Sequence, residues 1–160
     1  MPLRKFLEIC HFKKNIMREK YHQISAFVAA KEYDGYCMTG FTVYDMTELL
    51  RIRIVKVVKE TALDAILLST WSAVHWVASQ NISIYPLSVY SSEKESGNIL
   101  SKAWFSEGTS DSGEDERIHA ILEDCSHVAS VAFGLCLPDE GGVMADYAGR
   151  MRALIDLLTR

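Results

Sequence analysis

The chain lacks the signatures that would tie it to one chemistry. Its 160 residues hold no GxGxxG, no GxxxxGK[ST], no GxSxG and no CxxC. Those patterns set amides around a phosphate, a serine on a sharp elbow, or soft ligands around a metal, so their absence removes the corresponding readings. Cysteine is sparse and scattered: Cys10, Cys37, Cys125 and Cys136 form no dense framework. They read as free thiols in a reducing compartment. Long apolar runs are missing as well. The nearest, residues 65–68 and 71–78, is broken by Ser69, Thr70, Ser72 and His75, short of the ~20 residues a membrane span needs. The first residues carry Arg4 and Lys5 but run into Glu8, His11, Lys13 and Lys14, so no secretory apolar region follows. These absences lead us to expect a soluble, cytoplasmic chain with no membrane partner.

No single sign of charge dominates. The net charge is −4 and the sequence pI about 5.7, yet residues 1–31 carry seven Lys or Arg against two Glu. Residues 91–150 carry twelve acids against four bases. Such a split steers partners or self-association, or records two segments lying side by side. The length and the 49% hydrophobic content suit one globular domain over 1–160 that folds without metal or disulfide.

What is present is mostly periodicity. Leu3, Phe6, Leu7, Cys10, Met17, Tyr21, Ile24 and Val28 recur at three- and four-residue steps, which predicts an amphipathic N-terminal helix ending at Asp34-Gly35. Residues 36–44 and 50–58 read as strands, and residues 61–80 as a helix with Leu63, Ile66, Leu67, Thr70, Trp71, Val74 and Val77 on one face. Residues 82–90 read as a further strand, so the centre predicts a strand, helix, strand crossover between parallel strands. Residues 91–116 form a long acidic loop with an apolar island, followed by a helix to about Cys125, a strand over 128–137 and a last helix carrying Met144, Tyr147, Met151, Leu154 and Leu158. The expected fold class is α/β or α+β: a mixed sheet of about four to five strands packed by an N-terminal, a central, a third and a C-terminal helix.

Several clusters invite a function. Trp71, His75, Trp76 and Trp104 are candidate walls of an apolar ligand pocket, with Asp64 or Tyr90 as polar anchors. Ile99, Leu100 and Phe105 in the acidic loop are candidate partner-binding residues. His119, Glu123 and His127 fall in one helical row, but with no fourth ligand and a drifting register they read as a solvated face, and no metal is expected. The basic N-terminal stretch is compatible with phosphates, but the acidic whole and the missing nucleic-acid motifs make nucleic acid the less expected partner. The expected function is a small regulatory or adaptor protein, without catalysis or cofactor, that binds another protein and itself as a homodimer. The alternative is a domain sensing a small apolar molecule.

Overall fold

A computed structural model describes residues 22–58, 60–91, 115–135 and 142–159. Their elements in chain order are β1 (Ile24–Tyr33), β2 (Tyr36–Asp45), β3 (Glu48–Val58), α1 (Ala62–Ala78), a 3-10 turn (Asn81–Ile84), β4 (Pro86–Ser91), α2 (Asp115–Cys125), β5 (Ser130–Leu135) and α3 (Val143–Leu158). The mixed five-stranded sheet and its helices agree with the expected class.

Two expectations fail: residues 82–84, read as the start of a strand, form the 3-10 turn before β4, and the N-terminal helix does not reach the Asp34-Gly35 turn. Residues 24–33, assigned from their spacing to the end of an N-terminal helix, are the central strand. Ile24, Ala26 and Val28 pack on one face of it, Phe27 and Ala29 on the other. A strand buried on both faces has no polar alternation, so Ile24 and Val28 imitate a helical step. The rest of that predicted helix lies outside the described residues.

The strand order is β3-β2-β1-β4-β5. β1 runs antiparallel to β2 through the Asp34-Gly35 turn, where Gly35 holds φ of 81°, a left-handed conformation that costs glycine little. β3 returns antiparallel beside β2, and its direction is therefore that of β1. β4 pairs with β1 in parallel, from Ile24 opposite Leu87 to Val28 opposite Ser91, and β5 extends the parallel half beside β4. The α1 connection thus joins parallel strands, as its pattern predicts, but it carries the chain past β2 and β1 instead of to a neighbour of β3. Pro86 opens β4, a position where its missing N–H costs least.

Helices cover both faces. α1 begins at Thr61, whose hydroxyl oxygen accepts the Asp64 N–H at 3.2 Å while its O–H donates to the Asp64 carboxylate at 2.8 Å. This satisfies an otherwise orphaned helix donor. α1 buries Ile66, Leu67, Ala73, Val74 and Val77 against Ile24, Val28, Phe41, Val43, Leu87 and Val89, and α2 adds Ile121 and Cys125 to that core. α3 closes the opposite face with Tyr147, Ala148, Met151 and Ile155 over Phe27, Ala29 and Tyr44. Among the described residues no helix is long and apolar enough to cross a membrane.

β2 and β3 approach closely at Gly40, where a Cβ would run into Arg53 O and lie 2.9 Å from Ile54 Cα. Both are backbone atoms and cannot swing aside. Gly40→Ala is therefore expected to lower stability by about 1–3 kcal/mol, as overpacking does, read as a shift of the urea midpoint with unchanged slope.

Candidate functional site

In an open sheet with parallel strands, ligands bind beyond the carboxyl ends of those strands, where neighbouring connections diverge. Here that place is beside β1. β4 ends at Ser91 and β5 at Leu135, level with Val28, while β1 continues for five more residues. The chain leaves β1 toward β2 and leaves β4 toward β5. Among the described residues a crevice opens there above the shorter strands.

Its two walls differ in charge. On one side, Ala30 and Lys31 of β1 and Arg152, Ile155 and Asp156 of α3 enclose a cavity of about 280 Å³. The Lys31 ammonium donates to Asp156 Oδ1 at 2.7 Å, and that bond, opposed by a smaller desolvation, raises the lysine pKa from its ordinary value. Both side chains are about half exposed, so the pair adds little stability but fixes a cation at the mouth. Nearer the start of α3, Arg150 lies over the Tyr147 ring, 5.3 Å from its centroid. Tyr147 stacks on Tyr44 at 4.3 Å, and Phe27 stacks on Tyr90 at 5.4 Å. The floor beneath this wall is aromatic.

On the other wall, around the start of α1, the acids gather. Glu32 Oε1 accepts the Ala62 N–H at 2.7 Å, Arg117 of α2 grips both oxygens of Glu60 at 2.8 and 3.2 Å, and Arg117 also lies 3.5 Å from Asp64. Each carboxylate is already engaged. The Glu60 bond is the main reason the Arg117 pKa is raised. Cys37 donates its S–H to Glu60 O at 3.1 Å, and its pKa is raised by burial first and then by Glu32, Glu60 and Asp64. Burial likewise pushes the Cys125 thiol up to about 12, with Asp124 adding to the effect. A thiol held protonated is a poor nucleophile and a poor metal ligand.

A two-metal hydrolytic centre needs carboxylates converging on one point. Among the described residues no group of three or more His, Cys, Asp and Glu side chains can hold a metal ion. Asp146 in the first turn of α3 and Glu116 in the first turn of α2 are exposed, and Glu60, Asp64 and Glu32 are engaged by Arg117 or by the α1 terminus. The described donor set does not fit such a centre.

The sequence candidates fall in different places. Trp71 and His75 are brought together, rings stacked at 5.0 Å and 22°, with His75 reaching Asp124 at 3.2 Å. Trp76, five residues on and turned about 140° around the helix, packs like Trp71 against the α1-side core but outside the Trp71–His75 stack. Asp64 belongs to the crevice wall, and Tyr90 to the opposite sheet face under Phe27. Trp104, Ile99, Leu100 and Phe105 lie outside the described residues. α2 ends at Cys125, so His127 falls beyond the helix that carries His119 and Glu123. Sequence reasoning missed Lys31, Arg152 and Asp156, whose separation of 125 positions between Lys31 and Asp156 leaves no local signal.

No protein-family model and no curated protein matches the chain. Solved structures do. The N-terminal RNase H domain of a Mycobacterium tuberculosis protein matches with TM-score 0.63 over 81% of this chain and 95% of its own, at 10% identity. The fold is that of RNase H domains. RNase H1 of Halobacterium salinarum matches with TM-score 0.59 over 84% of this chain and 98% of its own, at 10% identity. LC11-RNase H1, solved in complex with an RNA/DNA hybrid, matches with TM-score 0.61 over 86% and 99%, at 12% identity. These likenesses overturn three expectations. The structures it resembles are RNase H domains, one of them holding an RNA/DNA hybrid, which speaks against a regulatory or adaptor protein, against a protein-binding homodimer, and against nucleic acid as the less expected partner. The reason for the error is physical: the fold is set by strand order and register, and neither leaves a motif in the sequence.

The thiols give a pH test. Above about pH 9 the unfolded chain loses thiol protons that folded Cys125 keeps up to about 12, so the unfolded state binds fewer protons and stability falls as pH climbs through that window. Cys125→Ser is expected to show a shallower loss of melting temperature than the parent between about pH 9 and 11. Parallel curves would show that the thiol stays as acidic as in the open chain.

Proposed function

We propose that this chain is a nucleic-acid-binding domain built on the RNase H fold, and that it holds an RNA/DNA hybrid or a similar duplex across the crevice beside β1. The observation that supports this most directly is the coincidence of the fold with RNase H domains over more than four fifths of the chain, one of them solved with an RNA/DNA hybrid. The crevice adds chemistry of the right sign. Lys31 and Arg152 border one cavity, Arg150 stands nearby, and phosphates are the usual partners of such cations.

Binding is the step that these residues support. Among the described residues no group of three or more acids, histidines or cysteines is placed to hold a metal ion, and a nuclease site needs several acids. The buried, unbridged thiols of Cys37 and Cys125 suit a reducing compartment, which favours the cytoplasm.

Fluorescence anisotropy with a labelled RNA/DNA hybrid, duplex DNA and heparin tests the reading. Binding of the nucleic acids is expected to weaken with salt, and Lys31→Gln or Arg152→Gln to lower the salt slope by about 1 each. A chain that binds no nucleic acid at low salt, or that binds heparin equally well, would sink it. Cleavage of the hybrid in Mg²⁺ that Asp146→Asn abolishes would show instead that acids outside the described residues complete a nuclease centre.

A further inference from the structure

A second cationic and aromatic surface lies on the opposite face of the sheet, between β3 and α1. Cross-strand register sets Arg51 opposite Val43 and Arg53 opposite Phe41. Val43 and Phe41 belong to the α1-side core, so both guanidinium groups stand on the α1 side of the edge strand, and both are exposed. Among the described residues neither makes an ion pair, in contrast to Lys31 and Arg117. Arg53 borders a groove of about 120 Å³ with Phe41, Val55, Leu68, Trp71 and Ser72. No acid lines it. Trp71 forms the helix wall and is backed by the His75 ring, which Asp124 of α2 holds in place.

Three features select the occupant. The volume is well under the roughly 300–1,000 Å³ of pockets that enclose a metabolite, but it admits a single flat ring. An indole wall suits the face of a base. Uncompensated guanidinium groups along the strand suit a phosphate backbone, and proteins that hold single strands combine these two elements.

We propose that this groove receives one unpaired nucleotide of a single-stranded nucleic acid, its base against Trp71 and its flanking phosphates on Arg51 and Arg53. The site lies on the sheet face away from α3. It rests on the nucleic-acid reading above, and extends it by letting a strand that leaves the duplex remain bound to the same chain.

The probes are a labelled 12-nucleotide oligo(dT) and the RNA/DNA hybrid, both measured with the full chain. Trp71→Leu is expected to weaken the single strand about tenfold and to leave hybrid affinity within about twofold, and Trp71→Phe to restore most of the loss. Arg51→Gln with Arg53→Gln is expected to reduce the single-strand salt slope by about 1.4, two contacts at about 0.7 each. Circular dichroism and melting temperature confirm that each variant is folded. Should the parent bind both probes while the groove variants bind oligo(dT) unchanged, or should Lys31→Gln with Arg152→Gln remove single-strand binding instead, the groove assignment is overturned and the crevice reading stands. Failure of the parent to bind either probe overturns both.

Discussion

The structure depends on β1 being paired along both edges and covered on both faces. Buried backbone N–H and C=O groups must find partners, and β1 finds them in β2 along its whole length and in β4 along its first half. Small side chains make the double covering possible: Ala26 lies under α1, and Ala29 under α3. Thr39 of β2 locks the arrangement, its hydroxyl lying 2.9 Å from Ala29 O, 3.1 Å from Ala65 O and 2.7 Å from Ser69 Oγ. That buried polar node joins β1, β2 and α1. It fixes where α1 begins relative to the upper half of β1, and so fixes one wall of the crevice.

The crevice follows from a mismatch in length. β4 and β5 have six residues each and β1 has ten, so among the described residues the upper part of β1 extends above its parallel neighbours. α3 follows β1 along this stretch, with Lys31 tied to Asp156 and the Tyr33 and Thr159 hydroxyls 2.6 Å apart. The two walls then differ because the helices differ in charge at this level. α3 brings Arg150 and Arg152, whereas the start of α1 brings Asp64 beside Glu60, met by Arg117 reaching over from α2. The α3 side of β1 therefore carries cations at this level, and the start of α1 carries carboxylates.

How much of this is legible in the sequence depends on whether a feature is local. β2 and β3 are readable, the first from aromatic and β-branched density and the second because an edge strand keeps polar and apolar residues alternating, as Arg51, Ile52, Arg53 and Ile54 do. α1 and α3 are readable from their apolar rows. β1 is not, since burial on both faces removes alternation and leaves Ile24 and Val28 four apart. The parallel sense of the crossover through α1 is readable too, but its landing place is not. Whether β4 settles beside β3 or beside β1 is decided by which edge is free and which face α1 covers, and both are consequences of the whole fold.

The site is harder still, for the same reason carried further. A likeness of fold at 10–12% identity leaves the course of the backbone similar while most side chains differ. What the backbone sets is position: the level at which β4 stops, the residue of β1 that rises above it, and the helix turn that faces it. At those positions this chain sets Ala29, Ala30 and Lys31 on β1 and Arg152 with Asp156 on α3. An alanine pair offers no ligand to a metal, but it lets another backbone approach closely. Lys31 and Arg152 supply charge without committed geometry, which suits an irregular phosphate chain better than a metal coordination sphere with fixed angles. At this level the scaffold orients cations and rings, and no group of three or more metal-binding side chains among the described residues stands beside them.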